Sequence, residues 1–178
     1  MEVIMLFVID MQNDFIHKER GLMPVNDADS IVSGIVSKIR EYEEEGDLIF
    51  YTLNFHGDLY EDQRSEEEKI WGHDLYGKLK EAISPHHQIT KDYYAIKPTA
   101  FESIMRQYEN QSQYTERIEF VGVETHVCVL SNAVVLRNLI PEARIIIDAS
   151  LCRSGSMELH EKALDVMEGL DMKVVNRR

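Results

Sequence analysis

The chain has few of the residues that indicate a cross-linked, membrane-embedded or nucleic-acid-binding protein. Only two of its 178 residues are cysteines, which argues against a disulfide framework and favours free thiols in a reducing compartment, the cytoplasm by default. Its 19 basic residues are outnumbered by 32 acidic ones, so neither nucleic acid nor an anionic membrane is an expected partner. No apolar run is long enough to span a bilayer, and the acidic N-terminus does not resemble a signal peptide.

The remaining composition is that of an ordinary globular protein, with 44% hydrophobic and 29% charged residues. The chain contains no internal repeat, low-complexity tract or Gly/Ser-rich linker. At this length it can bury a substantial core without cross-links. We therefore predict one domain that covers residues 1–178.

Apolar runs alternate with helical patterns along the chain. "EVIMLFVI", "LIFYTL", "RIEFV" and "ARIIIDAS" are typical of strands covered on both faces, while "HQITKDY" predicts a weaker strand. Residues 54–74 are polar and acidic and predict a long irregular loop. Alternating strands and helices predict parallel β-α-β units with helices on both faces of the sheet. Ligands of such sheets bind beyond the carboxyl ends of the strands.

Three residues with charged or nucleophilic side chains follow predicted strands or apolar stretches. Asp10 comes directly after the first strand, where a turn or capping aspartate is the simpler alternative. Lys97 follows the apolar-aromatic stretch "YYAI" and precedes Pro98, which favours an extended backbone; a solvated surface charge is the alternative. Cys128 lies where a strand passes into a helix. Together they predict an acid, a base and a nucleophile at one edge of the sheet, the arrangement of a cysteine hydrolase.

The position of Cys128 in a first helical turn predicts an activated thiol. The helix dipole and the free backbone N–H groups there favour the thiolate and could stabilise an oxyanion. A small buried residue on the inward face of the helix is the alternative, and free cysteines more often have that role. The second cysteine, Cys152, has no comparable setting and is interpreted as structural.

The segments "VIDMQNDF", "IKPTAF" and "GVETHVCVLSNAVVLR" resemble the isochorismatase-like cysteine hydrolases, a family that includes nicotinamidases. The resemblance covers nearly the whole chain. It implies a three-layer α-β-α fold with a six-stranded, mostly parallel sheet, and a catalytic triad of Asp10, Lys97 and Cys128. It also implies a cis peptide bond between Val123 and Glu124, with the N–H groups of Glu124 and Cys128 directed at the oxyanion.

The resemblance further implies a substrate pocket and a metal site. Phe15 and Phe101 would line the pocket for the substrate ring. Asn54, His56 and His73, with Glu66 as a further candidate, would bind Zn, Fe or Mn; no organic cofactor is expected. Asn54 departs from the family, which has aspartate there, so metal affinity should be lower. The two histidines are alternatively polar loop residues, and Glu66 is most simply part of a solvated run of charges.

These features favour a hydrolase that cleaves the C–N bond of a small carboxamide through a thioester, with nicotinamide as the leading candidate. The alternatives are a family hydrolase acting on a carbamoyl or ureido compound or on isochorismate, and a noncatalytic scaffold. Because Cys128 is present, C–N hydrolysis is favoured over the scaffold role. The family resemblance also implies a homo-oligomer, a dimer or a tetramer.

Overall fold

The structure, a computed structural model, describes residues 2–55, 62–106 and 114–177. Six strands form one sheet in the order β3-β2-β1-β4-β5-β6. All five pairs of neighbouring strands are parallel. The predicted six-stranded α/β fold is therefore confirmed. β1 lies at the centre of the sheet, next to β2 and β4.

The strands are β1 (Glu2–Ile9), β2 (Leu48–Asn54), β3 (His87–Lys91), β4 (Tyr114–Val123), β5 (Arg144–Arg153) and β6 (Lys173–Val175). The helices are α1 (Asn13–Ile16), α2 (Val32–Glu45), α3 (Glu66–His73), α4 (Gly77–Ile83), α5 (Pro98–Met105), α6 (Leu130–Leu139) and α7 (Met157–Gly169). A 3-10 turn precedes α2, and a π-helical segment, Thr125–Val129, leads into α6. Within the described residues, no helix is long and apolar enough to cross a membrane.

The core has two parts, one on each face of the sheet, because successive side chains of a strand point to opposite faces. Along β1, Met5, Phe7 and Ile9 belong to one cluster, while Leu6 and Val8 belong to the other. Aromatic rings lie at the centre of the first cluster, where the ring centroid of Phe7 is 4.8 Å from that of its neighbour on β2. Both faces of β1 are therefore buried against apolar side chains, which fixes the register of the strand and the position of the residue that follows it.

Helix α3 differs from the prediction of an irregular loop across residues 54–74. Its N-cap, Ser65, accepts a hydrogen bond from the backbone N–H of Glu68, and the Glu68 carboxylate accepts one from the backbone N–H of Ser65. This reciprocal capping box satisfies two otherwise unpaired donors of the first turn. The capping-box signature S-x-x-E is present at residues 65–68, but it was overlooked because the three consecutive glutamates were interpreted as a run of solvated charges.

Gly122 brings the carboxyl end of β4 against β1. Its φ angle is +118°, and a Cβ atom built there would lie 2.3 Å from the backbone oxygen of Ile9. Only glycine tolerates both this backbone conformation and this approach. The segment that follows β4 therefore lies beside the residue that follows β1.

Candidate active site

Asp10 lies directly after β1 and is completely buried. Its φ angle of +50° is in the left-handed region, which aspartate visits more readily than most residues. The backbone N–H of Asp10 donates to Thr52 Oγ1 at 3.1 Å, and the Thr52 hydroxyl donates to Asp10 Oδ1 at 2.6 Å. One carboxylate oxygen is therefore fixed by β2, and the other is left for a different partner.

That partner is Lys91, and the prediction for Lys97 was wrong. Lys97 is the N-cap of α5, extended as expected before Pro98, but its side chain is 72% exposed and pairs only loosely with Asp92, at 3.6 Å. The stretch before it, read as apolar and strand-like, is a bent segment after β3 that turns Lys97 toward solvent. The last residue of β3, Lys91, is 2% exposed and takes the place predicted for Lys97.

The ammonium group of Lys91 connects the acid to the thiol. Its Nζ donates to Asp10 Oδ2 at 2.6 Å, to the Tyr93 backbone oxygen at 2.9 Å and to Cys128 Sγ at 3.5 Å. All three donors of the ammonium group are used. The side chains of Lys91 and Asp10 are each 1% exposed, so water and salt screen the attraction between the two charges very little. Removal of either charge would leave the other buried and uncompensated.

Cys128 lies in the π-helical segment between β4 and α6 and is 6% exposed. Burial raises the pKa of the Cys128 thiol; the negative charge of Asp10 raises it further, while the Lys91 ammonium opposes the rise. The thiol and the Asp10 carboxylate both contact the Lys91 ammonium, which brings the two groups to the same place. The position at a helix start predicted a thiolate, whereas burial and the neighbouring Asp10 disfavour that form here.

The turn that carries Cys128 is held by contacts with the segment after β5. The Val123–Glu124 peptide bond is cis. The Glu124 carboxylate accepts from the backbone N–H of Gly155 at 2.6 Å. Thr125, which is fully buried, donates to the Arg153 backbone oxygen at 3.0 Å. The oxyanion role of the Glu124 and Cys128 N–H groups stays a prediction.

The two aromatic residues predicted to line the substrate pocket are both buried, on opposite faces of the sheet. Phe101 is 3% exposed, and its ring centroid lies 6.0 Å from those of Phe7 and Phe50, in the core cluster that also contains Cys128. Phe15 is 7% exposed and belongs to the other cluster. Their contact with substrate stays a prediction.

The predicted metal ligands do not form a metal site among the described residues. Asn54 ends β2, and its backbone N–H and C=O bond the side chain of Gln12 at 2.7 and 3.0 Å. The Glu66 carboxylate lies on the first turn of α3, is 83% exposed and pairs with Lys69; its role as a ligand stays a prediction. The His73 ring packs edge-on against Phe55, with centroids 4.8 Å apart.

His56, the fourth predicted ligand, lies outside the described residues. Across residues 2–55, 62–106 and 114–177, no group of three or more His, Cys, Asp or Glu side chains could hold a metal ion. An amide oxygen and one imidazole are a weak donor set for a divalent cation, because neither carries the negative charge that a carboxylate supplies. The described residues therefore do not fit the metal centre that the resemblance implied.

An ion pair between Arg64 and Asp14 holds the start of α3 in place. Arg64 donates through Nη1 and Nη2 to the two oxygens of Asp14, at 2.6 and 2.9 Å. Asp14 is fully buried, and the same guanidinium holds the pKa of Asp62 down at about 2. The sequence analysis missed this bidentate ion pair, which bridges α1 and the start of α3, because the two residues are 50 positions apart.

Sequence signals for Lys91 and Thr52 were present but weak. In β3, the burial pattern alternates so that Lys91 lies on the same side as Ile89, two residues earlier. Period-2 alternation through the weak strand would have directed its ammonium group into the protein. Thr52 lies in the middle of an apolar strand, where a fully buried hydroxyl needs a hydrogen-bond partner.

Comparisons with known proteins identify the family and the fold. A family model described as "Isochorismatase domain" matches residues 4–176. Comparison with curated protein sequences gave no match. Among solved structures, the nicotinamidase of Staphylococcus aureus is 28% identical with a TM-score of 0.78, and the match covers 98% of this chain and 99% of that one.

Two further solved structures share the fold at lower identity. The nicotinamidase/pyrazinamidase of Bacillus subtilis is 24% identical, with a TM-score of 0.76 and coverage of 97% and 98%. The pyrazinamidase of Pyrococcus horikoshii, solved in complex with zinc, is 23% identical, with a TM-score of 0.76 and coverage of 98% and 99%. The family match over nearly the entire sequence, with the same fold in these structures, shows that the chain belongs to the isochorismatase family.

Proposed function

We propose that the protein is a cysteine hydrolase that cleaves the C–N bond of a small carboxamide, with nicotinamide as the leading substrate. The observation that carries the proposal is the convergence of three groups from three strand ends. The Lys91 ammonium lies 2.6 Å from an Asp10 oxygen and 3.5 Å from the Cys128 sulfur, and all three residues are buried. Structural cysteines have no need of a buried ion pair beside them.

In the first step, the Cys128 sulfur attacks the amide carbonyl while Asp10 accepts the thiol proton. Because burial raises the pKa of the thiol, a base within hydrogen-bond reach is needed at the moment of attack. Asp10 is the proposed base, because its carboxylate shares the Lys91 ammonium with the Cys128 sulfur. The Lys91 ammonium contacts both an Asp10 oxygen and the Cys128 sulfur. Its positive charge therefore compensates the negative charge on the carboxylate before proton transfer, and the negative charge that develops near the sulfur after it.

In the second step, Asp10 returns the proton to the amide nitrogen, the C–N bond breaks, ammonia leaves and a thioester remains on Cys128. A water molecule then gives a proton to Asp10 and attacks the thioester. The carboxylic acid leaves as the proton returns to the sulfur. One amide and one water give one acid and one ammonia, and the enzyme is regenerated with its thiol protonated.

The oxyanion would be stabilised by the N–H groups of Glu124 and Cys128. These groups belong to a turn whose first two residues are anchored: the Glu124 carboxylate accepts from the Gly155 N–H, and Thr125 donates to the Arg153 backbone oxygen. Preorganised donors need no rearrangement during the reaction, which is the usual source of such stabilisation. Phe15 and Phe101 are the proposed aromatic contacts of the substrate.

The steps of this mechanism use only the side chains of Asp10, Lys91 and Cys128, and the described donors Asn54 and His73 would bind a metal weakly because neither is a carboxylate. A direct test replaces Asn54 by Asp, which restores a charged oxygen ligand beside His73. We expect the wild-type protein to bind zinc weakly and N54D to bind it at least about tenfold more tightly, as measured by titration calorimetry. Equal affinities would show that Asn54 does not determine metal binding.

The similarity to the Staphylococcus aureus nicotinamidase supports nicotinamide as the first substrate to test. Purified protein incubated with nicotinamide should release ammonia and nicotinate in equal amounts, and Cys128→Ala should release neither. If only carbamoyl or ureido compounds are hydrolysed, the substrate assignment is wrong while the triad chemistry stands. Full activity of Cys128→Ala would reject the mechanism. The homo-oligomeric state stays a prediction, which light scattering of the purified protein can test.

A further inference from the structure

Asn132 is a fully buried polar residue one helical turn beyond Cys128. Its Nδ2 donates to the Cys128 backbone oxygen at 2.7 Å and to the Tyr94 backbone oxygen at 3.0 Å. Its Oδ1 accepts from the backbone N–H of Ile96 at 2.9 Å. One side chain thus bonds the nucleophile's own backbone and two points of the loop between β3 and α5.

The same loop is held from its other side by the ammonium group at the active site. Lys91 Nζ donates to the Tyr93 backbone oxygen, one residue before the first loop contact of Asn132. The loop is therefore fixed between Lys91 and Asn132, while Asn132 also holds the Cys128 backbone. A shift of the loop would move the acceptor that orients the ammonium group relative to the sulfur.

We infer that Asn132 is a positioning residue that sets the separation between the Lys91 ammonium and the Cys128 sulfur. The inference rests on the proposed function, since it concerns the same triad. Asn132 does not touch the reacting atoms; it acts through the loop and through the nucleophile's carbonyl. Misplacement of a catalytic group by about 1 Å can reduce rates by about 10²-fold, so its effect on the reaction should be large.

A merely structural role makes the opposite prediction for thiol reactivity. Loss of a buried hydrogen-bonding side chain loosens the local structure and should expose Cys128, which speeds its alkylation. Loss of positioning weakens the stabilisation of the thiolate by Lys91 and should slow alkylation. The direction of the change therefore distinguishes the two roles without any assumption about the substrate.

The experiment compares Asn132→Leu with Leu136→Ala as a matched control. Leu136 is fully buried one turn further along α6, in the core cluster that contains Cys128, and its side chain has no hydrogen-bonding group to lose. We expect iodoacetamide to alkylate Cys128 about tenfold more slowly in N132L than in the wild type. The L136A control should lose stability but react at the wild-type rate or faster. Peptide mapping separates modification of Cys128 from modification of Cys152.

Kinetics and a double variant complete the test. In N132L, kcat for the hydrolysed amide should fall about 10²-fold with KM changed less than about twofold. In a Lys91→Met background, Asn132→Leu should cause no further slowing of alkylation, because the two act through one interaction. Additive slowing, or alkylation that is unchanged or faster in N132L, would overturn the inference.

A second variant covers the case in which N132L does not fold. Asn132→Asp keeps the acceptor for Ile96 but replaces the donor that faces two carbonyl oxygens, so it should show the same slow alkylation; wild-type rates in N132D would also overturn the inference. The alkylation assays need no substrate. Failure of every amide to react would therefore count against the proposed function, while the role of Asn132 would still be decided.

Discussion

Replacement of Lys91 by methionine should abolish catalysis, while the same change at Lys97 should have almost no effect. Methionine keeps most of the length and apolar stem of lysine but removes the charge. Two unit charges 2.6 Å apart, the separation of Lys91 Nζ and Asp10 Oδ2, attract each other by about 6 kcal/mol at an effective dielectric constant of about 20. Without this partner, the buried Asp10 carboxylate would be left uncompensated, and the charge that develops at Cys128 during attack would lose its stabilising cation.

Even about 4 kcal/mol lost from the transition state corresponds to about a 10³-fold decrease in kcat/KM. The assay is the initial rate of ammonia release under conditions where both variants are folded, as shown by their far-ultraviolet circular dichroism. Lys97→Met is the matched control, because that side chain is 72% exposed, and its activity should stay within about twofold of wild type. Comparable losses in the two variants, or more than about a tenth of wild-type activity in Lys91→Met, would refute the reasoning.

Three further predictions follow from the contacts of the site. Thr52→Val removes the hydroxyl that fixes Asp10 Oδ1 and should lower kcat/KM about tenfold or more, while Thr52→Ser should restore most of it; equal losses would show that the hydroxyl is not the cause. Because burial raises the pKa of the Cys128 thiol, the thiolate fraction grows as pH rises, so alkylation of the free enzyme should accelerate from about pH 7 to pH 10 without a plateau. A plateau near neutral pH would mean that the pKa is lowered. Arg64→Met leaves the buried Asp14 carboxylate without its bidentate partner and should reduce the free energy of unfolding by about 3 kcal/mol in urea titrations. An unchanged denaturation midpoint would show that the pair contributes nothing.

The sequence predicted those parts of the fold and site in which local pattern and tertiary environment agree. Asp10 was singled out because it directly follows an apolar strand, and Cys128 because it lies in the turn that follows another; strand ends of a parallel sheet share one edge. Gly46 ends α2 in the left-handed conformation, the usual role of a glycine directly after a helix. In these places the backbone position alone decides where the side chain lies.

The predictions failed where contacts between residues far apart in the sequence determine the position or environment of a side chain. Lys91 belongs to an edge strand whose polar residues hide its alternation, and its buried ammonium group contacts Asp10 and Cys128, which lie 81 and 37 positions away in the chain. Lys97 has the more suggestive local sequence but faces solvent. The thiol pKa was misjudged because a helix start predicts stabilisation of the thiolate, whereas the depth of burial depends on elements far away in the chain.

The most direct measurement of the central proposition is to trap the acyl-enzyme by rapid acid quench during turnover and to map it by mass spectrometry. The account predicts that the acyl group of the substrate is attached to the peptide that contains Cys128, and that no adduct forms on Cys152. In Lys91→Met the adduct should be absent or should accumulate far more slowly. Continued product formation by a Cys128→Ala variant, or an adduct on any other side chain, would contradict the account.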